Sequence, residues 1–269
     1  MFLILETLSW SKAAFMQHFK VLAAISAINL IPFIVLELIP ENGVAAHTLT
    51  ALISLVSVIV SYLVMAAMYH ICTVAVVGGD ISKEAVMARA KEMFFPMLWI
   101  AVFAMFFSFA WAPTIFGVIV ASVFASLALP VLFIEGKRGA SAIAESITLV
   151  KGRFWRVTGY GALALLIVIV PFLIVTFAVA TFDPTVGADI SLAGGIIINA
   201  FTYVFVTPAI AVASFGLYRS LRAVTKEPAA EVVAKRVKFV KICGVVGIVF
   251  TILFVTALIV ALLFGSFGP

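Results

Sequence analysis

Seven long apolar runs divide this chain, at about 20–38, 48–77, 94–111, 113–135, 155–180, 193–217 and 240–264. Each approaches or exceeds the roughly 20 residues that an α-helix needs to cross a bilayer's hydrocarbon core. The stretch from Phe94 to Ile134 is too long for one crossing, and Trp111-Ala112-Pro113 supplies a break near its middle. Both of its flanks are basic, which demands an even number of crossings, so it reads as two helices joined by a tight turn. The pattern predicts an all-α fold, a polytopic transmembrane helical bundle of about seven spans forming one membrane domain over residues 1–269.

The polar positions between the runs are sorted by charge. All 17 Lys and Arg residues fall in alternate connections. The N-terminus holds Lys12 and Lys20, and the second basic group is Lys83, Arg89 and Lys91. Lys137, Arg138, Lys151, Arg153 and Arg156 form the third, and Arg219, Arg222, Lys226, Lys235, Arg236, Lys238 and Lys241 the last. The other connections, around Pro40–His47, Trp111–Pro113, Thr181–Ser191 and the C-terminal tail, hold none. Lys and Arg resist translocation, so the basic side is expected to be cytoplasmic, with the N-terminus inside and the C-terminus outside.

Short charged segments lead into the spans that leave the basic side. In the stretch opened by Ser141, Ile143, Ile147 and Val150 share one face, Glu145 and Lys151 point elsewhere, and Gly152 is a stop signal. Asp80 opens a second such stretch through Lys91. Pro228 opens a third, with Val233, Val237 and Val240 on one stripe, and Ser11–Lys20 completes the set. These are expected to lie in the headgroup plane as interfacial amphipathic helices. For 11–20 and 228–241 the alternative is a plain extension of the neighbouring span. A faint repeat relates Phe15 and Pro32-Phe33 to Phe154 and Pro171-Phe172, both sets opening spans that run outward.

Composition narrows the function classes. With 65% hydrophobic and 11% charged residues, the spans consume nearly the whole chain and leave no room for a soluble domain. The net charge of +5 is juxtamembrane, so its expected partners are anionic lipid headgroups rather than nucleic acid. Glu6 interrupts the apolar start and no basic n-region precedes it, so a cleavable signal peptide is not expected. Cys72 and Cys243 read as small apolar fillers near the cytoplasmic ends of spans.

The segment Phe133-Ile-Glu-Gly-Lys-Arg-Gly-Ala-Ser-Ala-Ile-Ala-Glu-Ser-Ile-Thr-Leu-Val-Lys-Gly-Arg-Phe-Trp-Arg-Val carries a resemblance. It is similar to the membrane domain attached to some glycerophosphoryl diester phosphodiesterases and to the related YciC-type membrane proteins of prokaryotes. The features that match are Glu135 closing a span, Gly139-Ala140 opening a short helix, Ser146, Leu149, Lys151-Gly152, and Phe154-Trp155 entering the next span. Pro208 and the run Leu217–Arg222 resemble the family's closing helix. The resemblance is sharp over Ala128–Val157 and moderate near Pro208–Arg222. It implies a shared membrane part only, because the hydrolase chemistry of the fused proteins belongs to a soluble domain that has no counterpart here.

Candidate chemistry is sparse. His18 and His70 lie toward the cytoplasm and His47 outside. Glu37, Glu41, Asp183 and Asp189 fall outside and the other acids inside, none at ligand spacing with a histidine. No catalytic, cofactor-binding or metal-binding set is expected. Two groups of residues remain. Lys137, Arg138, Lys151, Arg153, Arg219, Arg222, Lys235, Arg236 and Lys238 are candidate contacts to anionic lipid, or to a cytoplasmic protein partner. Asn29, Asn199 and Tyr203 are the deepest strongly polar side chains, and with Ser54, Ser57 and Ser61 on one face of the second span they are the candidate intramembrane polar path; for the serines the alternative is hydrogen bonding and close packing between helices. The first reading is a non-enzymatic membrane protein of the prokaryotic cytoplasmic membrane, a scaffold or lipid organiser, with a homo-oligomer or a docked partner as its associates. The alternative is a transporter or channel-like protein for a small or lipidic solute.

Overall fold

The computed structural model describes residues 2–39, 44–112, 114–182, 192–226 and 228–265. It is helical throughout, with no strand among those residues. Seven helical segments are long and apolar enough to cross a membrane: Ile4–Glu37, Ala46–Val77, Lys83–Phe109, Phe116–Glu135, Phe154–Thr181, Ala193–Val224 and Ala230–Ala257. The expected outside acids Glu41, Asp183 and Asp189, the turn residue Pro113 and the C-terminal tail lie outside the described residues. The chain divides into two compact units, Met1–Phe94 with Trp155–Ser220, and Phe95–Phe154 with Leu221–Pro269.

The helices are α1 (Phe2–Ala27), α2 (Leu30–Glu37), α3 (Val44–Val77), α4 (Lys83–Phe109), α5 (Ile115–Ala125) and α6 (Ala128–Glu135). They continue with α7 (Ala140–Val150), α8 (Phe154–Phe182), α9 (Leu192–Phe201), α10 (Thr207–Val224) and α11 (Ala230–Gly265). A proline explains each interruption within a span. Proline lacks an N–H, and its ring clashes with the carbonyl four residues back. The α1–α2 break at Ile28–Asn29 therefore precedes Pro32, and the α5–α6 break at Ser126–Leu127 precedes Pro130. The π-helical turn Thr202–Val206 precedes Pro208 in the same way. Pro96 and Pro171 stay inside unbroken α4 and α8, so the expected likeness between the Pro32 and Pro171 spans does not extend to their helix geometry.

Most of the expected interfacial segments are extensions of spans. Residues 11–20 belong to α1, residues 83–91 to α4 and residues 230–241 to α11. Ser82 rather than Asp80 caps α4: its hydroxyl accepts from the Ala85 N–H at 3.3 Å, while Asp80 accepts from Ser82. Those two hydrogen bonds, with the charge of His70 adding to them, hold the exposed Asp80 carboxyl below its ordinary range.

In the first unit α1 packs on α3 and on the π-helical turn, and α2 packs on α3 and α9. Leu22, Met68, Ile71 and Phe215 are fully buried there, with the Tyr69 and Phe215 rings edge-on at 5.3 Å. In the second unit α7 is the centre, and α5, α6 and α11 all pack against it. Nine of its eleven residues are buried. This corrects the amphipathic reading: Ile143 and Val150 are buried as expected, Ile147 is only half-buried, and Glu145 is turned inward. Ser141 is no cap either; its hydroxyl donates to the Arg138 carbonyl, and α7 starts after Gly139 at φ 54°. Ser146 repairs the α5–α6 break, accepting from the Leu127 N–H at 3.1 Å and donating to the Phe124 carbonyl at 2.5 Å. Those are backbone groups that the break had released. On α11, Gly244 and Gly247 let the helix lie directly on Phe103 and Phe106 of α4.

Candidate functional site

Glu135, Lys137 and Glu145, with Arg222 from the end of α10, build a cluster of four charges. α6 ends at Glu135, where Gly136 adopts the left-handed conformation at φ 68° and closes the helix on the Leu132 carbonyl. That turn brings Lys137 back over the helix end, at 2.8 Å from Glu135 Oε2 and 2.8 Å from Glu145 Oε2. Arg222, from the end of α10, reaches Glu145 Oε1 at 3.1 Å and Glu135 Oε1 at 3.5 Å. Two acids thus face two cations, so the cluster is neutral. The Glu145 side chain is 2% exposed, whereas Lys137 and Arg222 keep 36% and 28% of their surface in contact with the surroundings. Burial alone would lower the Lys137 pKa, but the hydrogen bonds from its ammonium to Glu135 and Glu145 outweigh that and raise it.

Two more cations of the candidate contact set are tied inward beside this cluster. Arg236 of α11 donates to the Thr148 hydroxyl of α7. Arg153 donates to the Thr225 hydroxyl at 2.8 Å and to the Val224 carbonyl at 2.9 Å, fastening the α7–α8 connection to the end of α10. Lys137, Arg153, Arg222 and Arg236 therefore join α6, α7, α10 and α11 instead of pointing outward. Arg138, Lys151, Lys235 and Lys238 are exposed, Lys235 in an exposed pair with Glu231 that contributes little. In the other unit, Arg219 is exposed and lies over the Trp10 ring at 5.3 Å, a cation–π contact.

The polar-path residues do not form one path. Ser57 donates to the Ile53 carbonyl and Asn199 to the Gly195 carbonyl, each four residues back on its own helix. Ser54 is exposed and Ser61 half-buried on α3. Tyr203 lies in the π-helical turn, where its carbonyl accepts from the buried Ser26 hydroxyl of α1. Asn29, at the α1–α2 break, is 7% exposed, and its Oδ1 has no hydrogen-bond partner among the described residues. Cys72 and Cys243 are free and buried, and no group of three His, Cys, Asp or Glu residues able to hold a metal occurs among the described residues.

A feature that the sequence did not announce is a groove of about 360 Å³ between α1, α8 and α10. Ser11, Lys12 and Tyr160 are its polar residues, and Phe15, Ala164, Val168 and Ile210 are part of its apolar wall. Tyr160 fixes the three helices across it, approaching the Ser11 hydroxyl at 3.2 Å and donating to the Ala213 carbonyl at 3.2 Å. A signal was present: Arg156, Tyr160, Ala164 and Val168 recur at four-residue spacing and so share one face of α8.

The helices, their length and their composition define the class: this is an all-α, multi-pass membrane protein. No protein-family model, no curated protein and no solved structure matches the chain.

Proposed function

We propose that the chain organises lipid in the membrane it spans, as a scaffold without a reaction of its own, with its basic side in the cytoplasm of a prokaryotic cell. The observation that carries this is the division of its cations. One set is spent on holding helix ends together, and Arg138, Lys151, Lys235 and Lys238 of the same connections are left exposed. Exposed juxtamembrane cations attract anionic headgroups by about 1 kcal/mol each. The carboxylates Glu135 and Glu145, which a hydrolytic reading would need, are engaged by Lys137 and Arg222. A solute path has one observation in its favour, the uncommitted Oδ1 of Asn29.

The test uses the full chain in proteoliposomes carrying spin-labelled phospholipids. A labelled anionic lipid should be immobilised in larger proportion than a labelled zwitterionic one. The combined variant R138Q/K151Q/K235Q/K238Q should erase the difference. Equal immobilisation by the unaltered protein would overturn the lipid reading, and selective release of a trapped tracer lost in Asn29→Leu would put transport in its place.

A further inference from the structure

We infer that the groove between α1, α8 and α10 seats one acyl chain of an anionic membrane phospholipid, with the lipid phosphate held at Lys12. This deepens the lipid-organising reading and rests on it only for the membrane setting.

Three observations support this occupant. First, the polar lining is gathered at one level. The contact between Ser11 and Tyr160 puts those two side chains side by side, and Lys12 is the next residue on α1. From Tyr160 the α8 wall continues through Ala164 to Val168, all apolar beyond the hydroxyl. Eight residues of helix at 1.5 Å each make that wall about 12 Å long, the reach of an extended chain segment of roughly nine or ten carbons. Second, the charge at this level is positive. Lys12 is exposed, and Arg156, also exposed, precedes Tyr160 by one turn on the same face of α8. Arg156 thus adds a second positive charge at the Tyr160 end of the α8 wall. Third, α8 is the least covered of the seven spans, with 6% of its most apolar window buried, so the groove opens sideways, where lipid reaches it.

The physical basis of selectivity follows from the solvent. In a bilayer an acyl chain gains almost nothing by exchanging neighbouring lipid tails for Phe15, Val168 and Ile210, because both are hydrocarbon. The groove therefore supplies shape, fixing one chain in one place, and the headgroup end supplies preference. A zwitterionic lipid such as phosphatidylcholine would fit the wall equally well, but its own ammonium group offsets the attraction of its phosphate to Lys12 and Arg156, whereas an anionic lipid has no such offset.

The experiment is native mass spectrometry of the full chain released from nanodiscs of phosphatidylcholine and phosphatidylglycerol in equal amounts. The unaltered protein is expected to retain one phosphatidylglycerol in preference to phosphatidylcholine. Lys12→Gln should lower that preference about fivefold, the factor that corresponds to one juxtamembrane charge. Ala164→Phe should abolish retention by filling the wall, and Ala162→Phe, on an exposed face outside the groove, should leave it unchanged. Should Ala164→Phe fail to fold, Lys12→Glu gives the same decision by reversing the preference. Retention without headgroup preference, retention unaffected by both Lys12 variants, or a second copy of the chain in place of lipid would each overturn the proposal. The R138Q/K151Q/K235Q/K238Q variant touches none of the groove residues, so it should keep the single retained lipid even while losing the broader anionic preference. Loss of that broader preference and loss of the groove lipid are thus separate results.

Discussion

Removing Arg222 should destabilise the protein more than removing the charge of Glu145, although Glu145 is the deeper of the two. The reason is which charge is left behind. Arg222→Ala leaves two carboxylates sharing Lys137, and one of them, Glu145, is 2% exposed and has no surface through which to regain water. Glu145→Gln leaves two cations sharing Glu135, but Lys137 and Arg222 are 36% and 28% exposed and stay partly hydrated. Stranding a buried charge by deleting its partner costs about 3–5 kcal/mol in a fully buried pair. Because Lys137 still touches Glu145 at 2.8 Å, the loss for Arg222→Ala should be smaller, about 2–3 kcal/mol. Glu145→Gln, which keeps the shape and strands only hydrated groups, should cost about 1–2 kcal/mol. For a chain of this size 1 kcal/mol corresponds to about 2–4 °C, so Arg222→Ala should unfold roughly 5–10 °C lower. The double variant restores neutrality, one cation against one acid, and should lose at least about 1 kcal/mol less than the sum of the single losses. The assay is thermal unfolding of the full chain in detergent micelles, followed by the emission of its 4 tryptophans. Equal losses from the two single variants, or strictly additive losses in the double one, would refute the reasoning.

Gly247→Ala should cost about 1–3 kcal/mol, because its Cβ would fall on the Phe106 carbonyl and force α11 off α4. Gly159→Ala, which meets nothing within 4 Å, should be neutral or gain up to about 1 kcal/mol, and the same melting assay separates the two. The folded-state pKa of Lys137 is raised, so its contribution is fully present below the ordinary lysine value near 10.4 and is lost as pH rises through the folded value. The stability difference between the unaltered protein and Lys137→Met should accordingly stay flat from about pH 6 to 9 and shrink only above that range. Reporter fusions after Gly79, Lys137 and Thr225 should read as cytoplasmic, and those after Asn42, Asp183 and Phe267 as external; a cytoplasmic C-terminus would remove one crossing. Purified protein should show no turnover of glycerophosphodiesters with added divalent metal, and turnover abolished by Glu135→Ala in a protein that still folds would overturn the non-enzymatic reading.

The seven membrane-crossing helices were legible in the sequence because the bilayer imposes a local rule. Every stretch of roughly 20 residues must satisfy its backbone within itself and present hydrocarbon, and each run can be read without knowing its neighbours. The breaks at Ile28–Asn29 and Ser126–Leu127 were also local, one turn before Pro32 and Pro130. What α7 packs against was not local. Its Ala140, Ala142, Ala144 and Ser146 are small enough to be buried on any face, so Ile143, Ile147 and Val150 gave it a stripe that does not mark its only packed side. Glu145 read as a solvent-facing residue because an isolated helix has no other place for a carboxylate. Only the Gly136 turn, which returns Lys137, and the end of α10, which brings Arg222 across 77 residues of chain, make burial of that carboxylate tolerable. The groove has the same origin. Ser11, Tyr160 and Ala213 each look ordinary on their own helices, and a site exists only because one hydroxyl of Tyr160 spans the gap between the other two. Hydropathy and charge, which act over one turn or one crossing, were decided by the sequence alone. The pairing of charges and the shape between helices depend on residues far apart in the chain, and packing alone decided them.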